Sequence, residues 1–186
     1  IYGFGRKPRY FGWHSVIEYR LFSAEKDISA AAIEASAKAF NNAIDKKTLN
    51  DLNEMRKLAV KDFSSVAYAW SKDKLPLVAT GMVLTSDNVI IAGHPDLVDQ
   101  DSLYSDPSYK NFDKTPVTKK MQSLLDKQDT AFSGALGGIV HIYAKNDGSL
   151  SEKAVIDSSP VFDGLILYQD RLYISCKNGT LVCLGR

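Results

Sequence analysis

One histidine and three aspartates lie close together in this sequence, in the segment His94-Pro95-Asp96 and at Asp99 and Asp101 just after it. Imidazole and carboxylate groups are the side chains that proteins use for acid–base catalysis and for binding metal ions. The segment follows an apolar stretch that predicts a strand, so we expect these side chains at a strand end or on the following loop. A metal site needs three or four ligands, and the sequence does not supply a full set. We therefore interpret these four residues as loop candidates only.

The other reactive residue types do not form a recognisable site. The remaining histidines, His14 and His141, are far from His94 in sequence, and His141 falls within a predicted strand. There is no C-x-x-C-H haem motif, and no glycine-rich loop ends in the Lys and Ser/Thr of a phosphate-binding loop. Asp99, Asp101 and Asp106 lack the spacing and the glycine of a calcium-binding EF-hand loop. We expect no catalytic residue, cofactor or metal ligand in this chain.

The composition is that of an ordinary globular protein. The 186 residues are 45% hydrophobic and 24% charged, and the formal net charge is +1. This balance argues against disorder over most of the length and gives no reason to expect a nucleic acid partner. No apolar run is long enough to span a membrane. The first residues, 1–6, have the pattern of a strand rather than a signal peptide, so we expect a part of a longer polypeptide.

Internal repeats are the strongest signal in the sequence. Residues 81–92 align without a gap over residues 164–175, and each copy reads as a glycine, an apolar strand, a polar turn with aspartate and a second apolar strand. Residues 137–142 align in the same way over residues 179–184. A third match places residues 1–6 over the last six residues of the chain.

The spacing of these matches indicates the architecture. The second match has a period of 42 residues, within the range of propeller blades built from four short strands. The first match has an offset of 83 residues, which corresponds to one period plus an insertion of roughly forty residues, over 97–136. The repeats therefore predict a mainly β, partial β-propeller of four-stranded antiparallel blades.

The remaining elements follow from local patterns. Apolar residues at helical spacing predict a helical hairpin over about 28–64, which is inserted into the propeller or lies on it. The insertion at about 97–136 is predicted as a long loop with one helix over 117–127. Strands are predicted over 1–7, 13–23, 66–76, 79–85, 88–93, 138–144, 150–156, 161–168, 171–176 and 181–185.

The last predicted hairpin determines where we expect the two cysteines to lie. Asn178-Gly179 favours a two-residue type I′ turn. With these residues at the tip, Ile174 lies opposite Cys183, and Cys176 and Cys183 share one face in diagonal positions. A disulfide needs a closer approach than such a diagonal pair allows. We predict two reduced, buried thiols.

The repeat residues resemble those of a known family. The segments 138–143, 147–150, 159–164 and 171–175, followed by Asn178-Gly179, resemble the PQQ-like repeat of bacterial quinoprotein-like β-propellers. The resemblance is good over about 137–186 and fair over 66–96, and it does not cover 8–65 or 97–136. The residues that define the repeat structurally are Trp70, Gly81, Asp147, Gly148, Pro160, Gly164, Asn178 and Gly179.

The resemblance implies that the chain is the C-terminal part of such a propeller. Residues 1–27 would end one blade, 28–65 would be the helical insertion, 66–156 an interrupted blade, and 157–186 a last blade with three strands. The fourth strand of that blade would come from the N-terminus of the full protein. The expected partners are therefore the remainder of its own propeller or a second subunit.

The function implied by the resemblance is a non-enzymatic scaffold for protein–protein interaction in the periplasm or another extracytoplasmic compartment. One alternative is a segment of a PQQ-dependent dehydrogenase, with PQQ and calcium bound by residues in other blades. The family's cofactor-docking pattern is degraded here at 144–148, since the Thr and Trp are missing. A second alternative is a carbohydrate-binding propeller in which Tyr104, Tyr109 and Phe112 stack on sugars.

Overall fold

The computed structural model describes residues 1–6, 19–26, 67–99 and 118–185, and five helical positions between residues 30 and 38. The described part is mainly β, with three antiparallel sheets of three or four strands. The chain divides into two compact units, Ile1–Asp73 and Lys74–Arg186. Each unit is described by itself below.

The described residues of the first unit form a three-stranded sheet, sheet A. Its strands lie in the order β1-β2-β3, and both neighbouring pairs are antiparallel. Aromatic side chains line it: the Phe22 and Tyr68 rings meet edge to face at 5.4 Å, and the Arg20 guanidinium lies 4.1 Å from the centre of the Tyr68 ring. The strands are β1 (Tyr2–Arg6), β2 (Tyr19–Ala24) and β3 (Tyr68–Lys72).

Sheet A corrects one grouping of strands. The strand predicted over 66–76 is β3, which we had placed with the later strands in an interrupted blade over 66–156. It instead pairs with β2 at the edge of sheet A. The strand predicted over 13–23 is seen from residue 19 onward. The sheet to which a strand belongs depends on its pairing with strands that are distant in sequence. The local residue pattern does not reveal this pairing.

The predicted helical hairpin over 28–64 lies mostly outside the described residues. The positions that are described, between 30 and 38, are helical. Ile33, an apolar residue of this segment, is 51% exposed.

The second unit contains two sheets that follow one another along the chain. Sheet B has four strands in the order β4-β5-β6-β7, and sheet C has three in the order β8-β9-β10. A helix, α1, lies between β5 and β6. The elements are β4 (Leu77–Leu84), β5 (Asn88–Pro95), α1 (Lys119–Ser133), β6 (Gly138–Ala144), β7 (Leu150–Ile156), β8 (Pro160–Tyr168), β9 (Arg171–Cys176) and β10 (Leu181–Leu184).

The sequence repeats occupy equivalent places in sheets B and C. Residues 81–92 lie in the first and second strands of sheet B, and residues 164–175 lie in the first and second strands of sheet C. The insertion falls between the second and third strands of sheet B. In the third strand the alignment slips by one residue: Ala92 pairs with Val140, but Ser175 pairs with Leu181 rather than Val182.

A continuous apolar core joins sheets B and C. Sheet B contributes one face of β5 and β6, and sheet C contributes the facing side of β9. Partly buried residues from the other strands extend this core. The buried members are Ile90, Ala92, Val140, Ile156, Leu172, Ile174 and Cys176. Each sheet therefore buries the alternate residues of its strands against the other sheet.

The turns of sheet C differ from the prediction. The type I′ geometry lies at Gln169-Asp170, where both residues have positive φ (48° and 59°). At the β9–β10 turn, Gly179 has φ 82° and Cys176 N–H donates to Thr180 O at 2.9 Å, which makes a three-residue loop rather than a two-residue turn.

The longer loop changes the environment of the cysteines. One added loop residue moves the following strand by one position and turns each of its side chains to the other face. Cys183 therefore lies opposite Tyr173, not Ile174, and is exposed, while Cys176 is buried. The prediction of a buried thiol is confirmed for Cys176 and wrong for Cys183. Neither cysteine forms a disulfide.

Helix α1 is longer than the predicted helix over 117–127. It begins after Thr118, whose hydroxyl accepts a hydrogen bond from Met121 N–H, and it ends at Gly134, with φ 93°. These are the two standard ways of satisfying free backbone groups at helix ends. The part of the insertion over 100–117 lies outside the described residues.

Candidate functional site

His94 is enclosed at the end of β5. Its side chain is 3% exposed, and its ring lies 4.5 Å from the ring of Phe132 on α1. Neither ring nitrogen has a hydrogen-bond partner among the residues that the structure describes. Burial lowers the pKa of His94, and the nearby charge of Lys177 lowers it further. The imidazole is therefore held in its neutral form by its surroundings.

The two described aspartates do not share a site with His94. Asp96 is half-buried, and burial raises its pKa, while a hydrogen bond from Val98 N–H acts in the opposite direction. Asp99 lies on the surface with its carboxylate 3.7 Å from Lys74 Nζ. Asp101 lies outside the described residues. The charge of Asp99 also raises the pKa of Asp96, so the two carboxylates lie near each other. Among the described residues of this segment, the ring nitrogens of His94 have no hydrogen-bond partner and form no acid–base pair with them.

A set of polar contacts explains why His94 is enclosed. The Gln128 side chain on α1 donates from Nε2 to Pro95 O at 3.1 Å and accepts at Oε1 from Leu97 N–H at 2.7 Å. At the end of the helix, Lys177 Nζ donates to Phe132 O. These bonds hold α1 over the end of β5 and over the β9–β10 turn. We call this arrangement the helix clamp, formed by Gln128 and Lys177.

The described residues contain no group of three or more His, Cys, Asp or Glu side chains that could hold a metal ion. His141, the other histidine of the second unit, pairs with a neighbour instead. Its Nδ1 lies 2.9 Å from Tyr143 Oη, and both residues are buried. Burial raises the pKa of Tyr143 to about 12 and lowers that of His141, so both are neutral in the fold.

A cleft of about 490 Å³ opens between sheets B and C. Its base is the edge of the apolar core, and its mouth is bounded by the β4–β5 turn, by β7 and by the end of β10. The apolar lining consists of Ile90, Val140, Ile142, Ala154, Leu167, Leu172 and Leu184. Concave sites with apolar walls accept apolar side chains or ligands.

Charges of both signs lie around this cleft. Asp87 and Asp170, from the turns of sheets B and C, and Glu152 from β7 line it together with Lys153. Lys145 adds a second cation at the same rim, because its Nζ donates to the carbonyl of the lining residue Ser86 at 3.0 Å. None of these residues was a candidate from the sequence, because turn aspartates are common and only the packing of two sheets brings these together.

The repeat residues in turns have structural roles. Asp147 accepts at Oδ1 from Ser149 N–H at 2.8 Å, and Gly148 has φ 66°. Asn178 accepts from Thr180 N–H and from the Thr180 hydroxyl, which closes the turn before β10.

The repeat residues in strands fill close contacts. A side-chain carbon at Gly81 would lie 2.5 Å from the end of the Leu165 side chain, and Gly164 lies against the carbonyl of Ser175. Pro160 is fully buried at the start of β8. Trp70 is buried in the first unit. Each residue that we named for its repeat position thus lies in a turn or in a close packing contact.

Several residues that build these features were not singled out from the sequence. Gln128, Phe132 and Lys177 form or flank the helix clamp, yet each looks like an ordinary surface residue in its local pattern. Gln128 is recognisable only after folding, as a polar side chain that is 8% exposed on a helix whose other buried residue is Ala131.

Comparison with known proteins gives no relative: no protein family matches the chain, and neither a curated protein nor a solved structure matches it. Within the described residues, every helix is too short or too polar to cross a membrane.

Proposed function

We propose that this chain is part of a PQQ-like β-propeller that acts as a non-enzymatic scaffold for protein–protein interaction in an extracytoplasmic compartment. The observation that carries the proposal is the equivalence of sheets B and C, in which the same sequence repeat supplies the same strands in the same order. Sheets of three or four antiparallel strands that pack face to face and recur along the chain are the building units of propellers.

The outer face of sheet C supports this proposal. Ile166 is the repeat equivalent of Val83, and Leu181 takes the pairing position of Val140. Val83 and Val140 pack between sheets B and C, whereas Ile166 and Leu181 point away from sheet B and are 62% and 66% exposed. Exposed apolar residues that share one face of a sheet support an interaction site there.

The same face continues along the strands of sheet C. Cys183 and Ser175 are equivalents of Ile142 and Ala92, and both are exposed. Tyr168 adds a ring that is 61% exposed. A further sheet that covers this face as sheet C covers sheet B would belong to the remainder of the propeller or to a second subunit.

The absence of a catalytic set among the candidate residues favours a scaffold over an enzyme as the proposal. His94 is enclosed without a carboxylate partner among the described residues, and the charged side chains of the cleft come from two turns and from the surface of β7. The carbohydrate-binding alternative depends on Tyr104, Tyr109 and Phe112, which lie outside the described residues.

Native mass spectrometry of the protein from the cells that produce it tests the proposal. We expect the 20.5 kDa sequence in a larger species, either within a longer polypeptide or in a complex with a second chain. A thermal-shift measurement with PQQ and Ca²⁺ tests the dehydrogenase alternative on the same material. A monomer of this mass that PQQ and Ca²⁺ stabilise would contradict the scaffold proposal.

A further inference from the structure

We propose that α1 is a lid that acid releases. When His94 takes up a proton, the helix moves away from the end of β5 and pivots about the short glycine-containing link to β6. The movement uncovers the side of α1 that is buried in the closed form, at Gln128 and Ala131. The inference does not rest on the proposed scaffold function, because the trigger, the lid and the link all lie within the second unit.

His94 occupies a core-facing position that would suit an apolar residue. Alternate residues of a strand face the same side, so His94 continues the row of Ile90 and Ala92, which β5 buries against sheet C. Both of its ring nitrogens nevertheless lack a hydrogen-bond partner among the described residues. A buried polar group without a partner costs free energy, and native proteins contain few of them. The histidine at this position therefore calls for a role other than packing.

The sequence repeat places a second basic residue at the equivalent position of sheet C. The offset of 83 residues that aligns the two hairpins brings Lys177 over His94. Both residues contact Phe132 of α1: the His94 ring lies 4.5 Å from its ring, and Lys177 Nζ donates to its carbonyl oxygen. A protonated His94 would therefore place two positive charges beside one turn of the helix, where burial limits their screening by water.

The charged groups on the neighbouring elements do not pair with His94. The residue opposite it on β4 is Val78, which is uncharged. On α1 every ionisable side chain is exposed, including Asp129 beside the buried Gln128. Asp96 after β5 is half-buried, but no described residue forms a hydrogen bond with the imidazole. Closure of α1 therefore leaves a protonated His94 without a bonded counter-ion among the described residues.

The direction of the pH effect follows from this enclosure. Burial lowers the pKa of His94 from its ordinary 6.5, and the charge of Lys177 lowers it further. In the open form the ring meets water, so its pKa returns toward 6.5. The open form therefore takes up a proton first as the pH falls. The equilibrium between the closed and open forms shifts toward the open form by up to about tenfold per pH unit below 6.5.

Asp96 acts in the opposite direction. Burial raises the pKa of this carboxyl from its ordinary 3.8, so the closed form takes up that proton first and acid favours closure through Asp96. A pH range from 7.5 to 5.5 is centred on the ordinary pKa of histidine and lies above that of aspartate. Measurements in this range therefore report the histidine.

The attachments of α1 allow it to move as one piece. Gly134 and Gly137, with φ 93° and 78°, join the helix to β6, and the Ser159 hydroxyl holds the carbonyl of Gly137 on the β6 side of this link. Toward β5 and the β9–β10 turn, the helix is held by the bonds of the helix clamp. Release of these few bonds leaves the pairing of sheets B and C in place, as in local opening of other proteins.

Hydrogen exchange of the α1 amides in the full chain tests the inference. The amides are followed by NMR at pH 7.5 and 5.5, in urea concentrations below the unfolding transition, and the rates are corrected for intrinsic exchange. We expect the opening equilibrium constant of α1 to be about tenfold larger at pH 5.5. This opening should depend little on urea, whereas exchange of the Ile174 amide in the core should depend on it strongly.

Two substitutions remove the titrating group, and a third serves as the matched control. His94→Leu and His94→Gln are neutral at both pH values, so α1 should open to the same extent at each. His141→Gln removes the other histidine of the second unit, which lies on β6 and bonds to Tyr143, so the tenfold change in α1 should remain. The circular dichroism spectrum of each variant checks that it is folded.

A tenfold change that persists in both His94 variants would overturn the inference, as would its loss in His141→Gln. The inference would also be wrong if the α1 amides exchanged with the same rate and urea dependence as the Ile174 amide. The helix would then open only when the whole unit unfolds. None of these outcomes bears on the scaffold proposal, which native mass spectrometry tests separately.

Discussion

Gly93 lies directly against the backbone of Val78: a side-chain carbon at position 93 would lie 1.8 Å from the Val78 carbonyl oxygen. The approach occurs where the pairing of β4 and β5 shifts register between Ala79 and Gly81. A bulge of this kind brings two backbones closer than a side chain permits. Glycine at position 93 therefore permits the close pairing of β4 and β5 next to His94.

Replacement of Gly93 by alanine should destabilise the second unit strongly. Since backbone must move to admit the methyl group, we expect a loss of about 2–4 kcal/mol in the free energy of unfolding, measured by urea denaturation. Gly81→Ala is the comparison: its new carbon would meet the end of the Leu165 side chain, which can rotate, so the loss should be about 1 kcal/mol. Equal losses would contradict this account of the bulge.

Replacement of His94 by leucine should reduce the pH dependence of stability. The pKa of His94 is lowered in the fold from its ordinary 6.5, so the unfolded chain takes up a proton first as the pH falls. The contribution of the neutral His94 to the free energy of unfolding is therefore complete above the pKa of the unfolded chain. It is lost as the pH decreases through 6.5 toward the pKa of His94 in the folded protein. His94→Leu removes this loss.

At pH 7 the same substitution should raise the free energy of unfolding by about 1 kcal/mol, because two buried nitrogens without described partners are replaced by apolar atoms. The measurement is urea unfolding at several pH values between 5 and 8. His141, whose pKa is also lowered, remains in this variant. Part of the slope of the free energy of unfolding against pH should therefore remain. An unchanged slope in His94→Leu would show that the imidazole is not enclosed as described.

The two thiols should react differently in the folded protein. Cys183 is exposed and Cys176 is buried, so a thiol reagent should label one cysteine under native conditions and two in denaturant. Cys183→Ser should remove the native labelling and Cys176→Ser should not. The two-residue turn that we predicted from Asn178-Gly179 would leave both thiols unreactive, so this labelling measures the register of the last hairpin.

The helix clamp should control the opening of α1. Gln128→Ala removes two hydrogen bonds and leaves the Pro95 carbonyl and the Leu97 amide unsatisfied, at a cost of about 1–3 kcal/mol in the local opening free energy. Hydrogen exchange of the amides of α1 measures it. Gln122→Ala is a suitable control, since among the described residues the Gln122 side chain bonds to Asp126 on the exposed face of the same helix. Equal acceleration in both variants would mean that α1 opens independently of the clamp.

The strands of sheets B and C could be predicted to within about two residues because their signals are local. Alternating apolar residues flanked by turn residues mark each hairpin. The turn type after Cys176 could not be predicted, because Asn-Gly suits both a two-residue turn and a three-residue loop whose last residue has positive φ. The difference of one residue decided the exposure of Cys183.

The features of the candidate site were less accessible from sequence. His94 was recognised by its residue type, but its enclosure depends on Phe132, on a helix separated from it by the insertion. Asp87 and Asp170 come together only because two sheets pack face to face. Contacts between distant segments leave no pattern in the local sequence. The sequence therefore predicts the strands and turns better than the surfaces that they form together.

The insertion between β5 and β6 occupies the junction where sheet C has only the short turn from Cys176 to Leu181. The same junction of one repeat thus tolerates lengths from a few residues to a whole helix while the strands on both sides keep their order. The β9–β10 turn is consequently a site at which a fluorescent or affinity module could be inserted. Sheet B shows that a long segment at the equivalent junction leaves a sheet assembled.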